Sequence, residues 1–240
     1  MELILKDIVK KYDGKAILNN ISATFKQGYC YLLLGENGAG KSTLAKCIVG
    51  DEDYDNGTIQ FNNSSQSVVD NAVIQYQSFD SYQHLKIREV IRLFEKLSNQ
   101  NVDLEELYEI LELQTFDHVL LKNASGGQRK AVSIFLAFLL NKRIVILDEP
   151  FADLDLMKKK QLMHFLQNEM NKQGKILIII SHEVAGFETL FDYVYILKDG
   201  KFIENGSKQE LVTKYKNTVL AGIEGIYFEV TGKVLGGRAG

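Results

Sequence analysis

Nine consecutive residues, Gly35-Glu36-Asn37-Gly38-Ala39-Gly40-Lys41-Ser42-Thr43, limit the fold of this chain more than any other feature. They fit G-x-x-x-x-G-K-[ST], with Gly35, Gly40, Lys41 and Ser42 in register. The apolar run Tyr29 to Leu34 leads into them. Lys41 to Val49, stopped by Gly50, reads as a helix leaving them. A strand, a glycine loop and a helix in that order bring backbone N–H groups and the positive helix end to one point. The glycines remove Cβ atoms that would keep a phosphate away. Lys41 supplies a mobile cation for β- and γ-phosphates, and the Ser42 hydroxyl is an oxygen ligand for Mg²⁺.

The rest of the chain predicts a sheet to carry this loop. Glu2 to Val9 and Ile17 to Phe25 mix apolar and polar residues as half-buried strands do. Ile144 to Leu147 and Lys175 to Ile180 are continuous apolar runs of strand length, and Tyr193 to Leu197 is a further strand. Lys198-Asp199-Gly200-Lys201 predicts a hairpin turn into Phe202-Ile203-Glu204. Between these lie helices: Ser125 N-caps an apolar one ending near Leu140, and Leu156 to Met170 is another. Leu85 to Leu97 and Leu104 to Leu113 place apolar residues at helical spacing, so residues 80 to 122 read as a small helical insert. Alternating strands and helices favour a parallel sheet with crossover helices. Phe61 to Asn71 is expected as a polar surface loop, Ala221 to Gly232 as a short closing element, and Gly236 to Gly240 as a disordered end.

Composition removes several classes. With 240 residues, 45% of them hydrophobic, the chain can bury a core without disulfide or metal staples. Cys30 and Cys47 are too few for a disulfide framework and are expected as reduced core thiols in a cytosolic protein. Lys plus Arg is 28 and Asp plus Glu is 31, a net charge of -3, which argues against a nucleic-acid partner. No apolar run approaches the roughly 18 residues a membrane helix needs. Charges interrupt the N-terminal stretch, so no signal-peptide layout is expected.

A second chemical signal is Ile144-Val145-Ile146-Leu147-Asp148-Glu149, a buried strand with an acid pair at its C-terminal end. Ligands of open α/β sheets bind at that end. There Asp148 can hold Mg²⁺ and Glu149 can polarise an attacking water as a general base.

Three further motifs stand around this pair. Pro150-Phe151-Ala152-Asp153-Leu154-Asp155 follows it, Ala124-Ser125-Gly126-Gly127-Gln128-Arg129 lies upstream, and Ser181-His182-Glu183 follows the next buried strand. With these residues the sequence resembles the nucleotide-binding domain of the ATP-binding cassette (ABC) family, from Tyr12 to about Ser207. The resemblance implies an α/β fold: a P-loop NTPase core with a mostly parallel sheet, an N-terminal antiparallel β subdomain and a small helical insert. It implies one cassette over residues 1–215, with the helical subdomain at about 80–140, and a short C-terminal extension over 216–240.

The resemblance also implies roles. ATP would lie in the loop from Gly35 to Thr43, with Tyr12 stacked on adenine. Ser125, Gly126, Gly127 and Gln128 match the signature loop, which in the family closes on the γ-phosphate held by the other subunit. Ala152 to Asp155 resembles the loop that crosses the dimer interface, and His182 the switch histidine. Gln77 is assigned as the glutamine that touches Mg²⁺ and water, because Leu85-Lys86-Ile87-Arg88-Glu89 matches the pattern just downstream; Gln75 stands two residues away. Lys41, Gln77, Glu149 and His182 would form the catalytic set, and Ser42, Gln77 and Asp148 the Mg²⁺ ligands.

Departures from the family pattern remove no catalytic group: Ala124 for a leucine at a packing position, Phe151 for a small polar residue, and no proline in Asn141-Lys142-Arg143. The implied function is an ATP-hydrolysing subunit that powers a separate membrane-spanning transporter subunit. It would work as a homodimer or heterodimer of cassettes, cytoplasmic and held at the inner face of the cell membrane through that partner. Phe79, Tyr82, Ile87 and Phe94 of the insert are candidates for that contact, with most of them expected as core. The short insert and the lack of an appended regulatory domain favour export. The alternative is a soluble ABC ATPase of the iron–sulfur cluster assembly type. A P-loop kinase would leave Ala124 to Arg129 and His182 unexplained.

Overall fold

The computed structural model describes residues 1–62, 66–75, 80–98, 102–152, 154–216 and 220–235. Strands β1 (Glu2–Tyr12) and β2 (Lys15–Lys26) form a hairpin. Its turn, Asp13-Gly14, has positive φ at both residues, the geometry that matches strand twist in a two-residue loop. Then follow β3 (Cys30–Leu34), α1 (Lys41–Val49), β4 (Asn56–Phe61) and β5 (Ala72–Ile74). The helical insert holds α2 (Ile87–Ser98) and α3 (Glu105–Ile110). The second half runs α4 (Gly126–Leu139), β6 (Ile144–Asp148), α5 (Leu156–Gln173), β7 (Ile176–Ile180), β8 (Tyr193–Lys198), β9 (Lys201–Ser207), α6 (Lys208–Lys214) and α7 (Gly222–Thr231).

Among the described residues the strands form two sheets. One is three-stranded and antiparallel, ordered β2-β1-β4. The other is six-stranded, ordered β5-β6-β7-β3-β8-β9, parallel except for β9. The sequence does not mark β4 and β5 as strands. Three residues are too few to show a period, and Asn56-Gly57-Thr58 carries turn-like composition. Phe61 therefore is not loop: it ends β4 and is buried, as is Val68 nearby.

Period-two alternation places the core. On β3, Leu32 and Leu34 face one way, with Val145 and Leu147 of β6 and Leu177 and Ile179 of β7. They meet α4, α5 and the insert, including Leu136, Phe138, Leu162 and Leu166. Tyr31 and Leu33 face the other way, with Ile144, Ile146, Ile176 and Ile178. There they meet Leu44 and Ile48 of α1 and Leu3, Leu5 and Ile21 of the antiparallel sheet. Each such Leu or Ile contributes about 1.5–3 kcal/mol on burial, so the central strands are anchored from both sides. Cys30 and Cys47 are both buried free thiols.

The insert has its own apolar seam. Ile87, Val90, Ile91 and Phe94 of α2 are buried against the main core. Ile87 and Phe94 are thus core residues and offer nothing to a partner, and Tyr82 is half-buried with its ring edge-on to Phe94. Phe79 lies outside the described residues. The exposed apolar residues of α2 are Leu93 and Leu97, one turn apart. At the C-terminal end, the expected closing element is helix α7, whose Ile223, Ile226 and Tyr227 join the main core. Residues 216–240, read from sequence as an extension, thus include a helix that shares the cassette's core. The end at 236–240 lies outside the described residues.

Candidate functional site

The C-terminal ends of β3 and β6 lie in one sheet, separated by β7, so the glycine loop and the acid pair emerge on the same edge. Gly35 starts the loop where the backbone presses on β8: a Cβ there would stand 2.4 Å from the Leu197 carbonyl oxygen. Gly40 has φ 107°, and a Cβ would stand 2.9 Å from the Ile17 oxygen. Only glycine fits both places. Glu36, Asn37 and Gly38 are exposed, while Ala39 and Gly40 are buried. Ser42 and Thr43 are half-buried on the first turn of α1.

Lys41 is buried, and its Nζ donates to the carbonyl oxygens of Gly35 at 2.6 Å and Glu36 at 2.9 Å. Burial pushes this ammonium below the usual lysine range, against the opposing pull of Asp148, Glu149 and Glu36. The lysine thus sits inside its own loop, facing the acid pair across the sheet edge.

The acid pair is held from two directions. Asp148 ends β6, and its N–H donates to the side-chain oxygen of Gln75 at 3.2 Å. Gln75 is buried just past β5, so the structure puts this glutamine beside Asp148; Gln77 lies outside the described residues. Glu149 has φ 51°, which turns its side chain toward β7. One carboxylate oxygen accepts from the His182 backbone N–H at 2.7 Å and contacts His182 Nδ1. The other stands 2.8 Å from Ser181 Oγ. That hydroxyl is also 2.7 Å from the Glu183 carbonyl oxygen, so its one proton is shared between two acceptors. Sequence reasoning names Ser181 only as a neighbour of His182; its contact with Glu149 needed the β6–β7 register, in which Asp148 pairs with Ile180.

Phe151 explains its own departure from the family pattern. It is buried and stacks on Phe187 with centroids 4.3 Å apart, so the segment after Pro150 is anchored in the core. Ala124 is likewise buried. Asp153 lies outside the described residues, and Asp155 N-caps α5 by accepting from the Lys158 N–H at 2.9 Å.

Ser125 forms a capping box with Gln128: its hydroxyl accepts from the Gln128 N–H at 3.1 Å, and Gln128 Oε1 accepts from the Ser125 N–H at 2.9 Å. Ser125, Gly126 and Gly127 are exposed, so the remaining first-turn N–H groups of α4 face outward. Gln128 is committed to the cap through its carbonyl. Among the described residues, this loop makes no hydrogen bond to the glycine loop of its own chain.

Tyr12 stands at the end of β1, 41% exposed. The nearby Glu52 carboxylate pushes the Tyr12 hydroxyl up to about 12. From the C-terminal end, Lys233 reaches Glu36 of the glycine loop at 2.6 Å, a contact the sequence carries no sign of.

Comparison with known proteins places this geometry. The family model described as "ABC transporter" matches residues 18–152. A curated relative from Chlorella vulgaris, "Probable sulfate/thiosulfate import ATP-binding protein CysA", is 28% identical over 237 residues, covering 94% of this chain and 100% of the relative. A solved structure titled "Structure of ATP binding subunit of ABC transporter" superposes with TM-score 0.84 at 25% identity, over 96% of this chain and 100% of that one. A dimeric cassette solved with ADP and phosphate shares the fold, with TM-score 0.74 at 22% identity, over 85% of this chain and 98% of that one. Among the described residues no helix is long and apolar enough to cross a membrane.

Proposed function

The chain belongs to the ABC transporter family, and on that footing we propose that it is the ATP-hydrolysing subunit that drives a separate membrane-spanning partner. The observation that carries this is the fixed Glu149 carboxylate, held by Ser181 and His182 on the sheet edge that also bears Lys41. ATP would lie along residues Gly35 to Thr43, its phosphates on the loop N–H groups and Lys41. Lys41 can exchange two carbonyl bonds inside the loop for phosphate oxygens, which as charged acceptors are the stronger partners.

The Ser42 hydroxyl and Asp148 carboxylate are hard oxygen donors, a set that suits Mg²⁺ completed by phosphate oxygens and water. When bound, the ion neutralises charge on the β- and γ-phosphates. Gln77 remains the third assigned ligand from the resemblance, and Gln75 fixes the Asp148 backbone. Glu149 takes the proton of the attacking water as it adds to the γ-phosphorus in line with the departing ADP oxygen. His182, tied to Glu149 through its backbone and Nδ1, orients that carboxylate and presents its exposed ring to the phosphate.

The exposed Ser125-Gly126-Gly127 turn supplies first-turn N–H groups that can bind an anion. A two-fold dimer, in which each such turn closes the other's nucleotide, uses both half-sites twice. The partner cassette is an identical or a related chain. The assembly would sit at the inner face of the cell membrane, held there by the membrane subunit.

Direction follows the partner. The curated relative named for import is covered end to end by a chain of this size, so a short single cassette gives no ground for export. That relative favours import of a small solute. The test is affinity capture of the tagged Glu149→Gln variant with ATP from detergent-solubilised membranes. A stoichiometric polytopic partner is expected. Recovery with cytosolic partners alone would refute the transport reading.

A further inference from the structure

The acidic turn after α1 does more than close a helix. Asp55 accepts from the Lys11 N–H at 2.6 Å, and the Asp55 N–H donates to the Val9 carbonyl at 2.7 Å. These two bonds fix the last residues of β1 against the turn. Glu52 lies in the same turn, and its carboxylate is near enough to push the Tyr12 hydroxyl up to about 12. Glu52 also forms an ion pair with Lys10 Nζ at 3.4 Å, with both side chains largely covered. Lys10 is two residues before Tyr12 on the same strand face, and its Nζ lies over the Tyr12 ring, 4.9 Å from the centroid. One face of the ring is thus covered by a cation that Glu52 holds in place. The 41% exposure of Tyr12 leaves the rest of the ring to solvent.

We propose that Glu52 and Lys10 are positioning residues that fix the Tyr12 ring with one face free for a nucleobase, and so set how much of the ATP affinity comes from the base. This rests on the reading of Tyr12 as the adenine-stacking aromatic. The chemistry is self-consistent. A tyrosine ring on a strand end rotates about two side-chain bonds, and stacking requires one orientation. A cation held over one face by Glu52 selects that orientation before the nucleotide arrives. Glu52 and Lys10 lie outside the Gly35–Thr43 loop, so their effect is expected on the base.

The experiment measures the dissociation constants of Mg-ATP and of inorganic tripolyphosphate, with KM and kcat for hydrolysis. The proteins are the parent chain and the Glu52→Ala, Glu52→Gln, Lys10→Met, Tyr12→Ala and Tyr12→Ala/Glu52→Ala variants. Loss of a base stack is expected to weaken ATP about 5- to 100-fold in Tyr12→Ala. Glu52→Ala and Lys10→Met should weaken ATP about three- to tenfold through KM, with kcat and tripolyphosphate affinity held. Glu52→Gln, whose carbonyl can still accept from Lys10 Nζ, should recover part of the Glu52→Ala loss. In the Tyr12→Ala background, Glu52→Ala should cost nothing more. Unchanged ATP affinity in Glu52→Ala overturns the proposal. So does an equal loss of ATP and tripolyphosphate, or a full Glu52→Ala cost without Tyr12. If Tyr12→Ala itself leaves the ATP to tripolyphosphate ratio unchanged, the base-stacking reading fails and this proposal falls with it.

Discussion

Replacing Glu149 by Gln tests the chemistry with little disturbance to the fold. The carboxylate is held by the His182 N–H at 2.7 Å, by Ser181 Oγ at 2.8 Å and by the His182 ring. Gln keeps the shape. Its carbonyl oxygen can accept from the His182 N–H, and its amide can donate to Ser181 Oγ, whose proton then goes wholly to the Glu183 carbonyl at 2.7 Å. What Gln cannot do is take a proton from water. General-base assistance is worth ~10²- to 10⁴-fold, which is about 2.7–5.5 kcal/mol of barrier. The expected result is a kcat for phosphate release lowered by that factor, with ATP affinity and melting temperature close to the parent's. Steady-state phosphate release at saturating Mg-ATP, beside a thermal melt, makes the check. A kcat within tenfold of the parent, or an equal fall explained by a lost fold, would refute the assignment of Glu149 as base.

Other outcomes follow from the same contacts. Ser125→Ala removes one half of the capping box on α4 and should cost about 1 kcal/mol by urea unfolding, whatever it does to activity. Phe151→Ala empties a buried site stacked on Phe187 and should cost about 3–5 kcal/mol in the same assay. Burial, with Glu224 close by, raises the Glu188 carboxyl above its ordinary range. The native state therefore holds this proton more tightly than the unfolded chain, and stability falls as pH rises through that window. Glu188→Gln should then melt higher than the parent at about pH 7 and equal to it below the ordinary carboxylate range; a gain that grows in acid would contradict the burial argument.

The fold was legible wherever a pattern had room to repeat. Lys41–Val49 runs to its predicted ends because Gly40 and Gly50, both left-handed, bracket it. The cap at Ser125 was legible because the capping box is a local rule. β4 and β5 were not, since a half-buried strand containing Gly57 and a three-residue strand carry no period, and pairing with β1 and β6 decides them. The candidate site divides the same way. The glycine loop and the acid pair are contiguous in sequence and were readable. The Glu149–Ser181–His182 cluster and the Asp148–Gln75 bond cross between strands, so only register brings them together. Tyr12 is assigned from the resemblance, while Glu52 and Lys10 carry no motif and emerge only from the packing of a turn against a strand end.

The central claim is a composite site, with each nucleotide between the glycine loop of one cassette and the Ser125 turn of another. Sedimentation of the Glu149→Gln variant with Mg-ATP tests it most directly. The account predicts that the 27.2 kDa chain doubles its mass with ATP, stays monomeric with ADP, and stays monomeric with ATP when Ser125→Glu is added. A monomer at saturating ATP, or a dimer that survives Ser125→Glu, would contradict it.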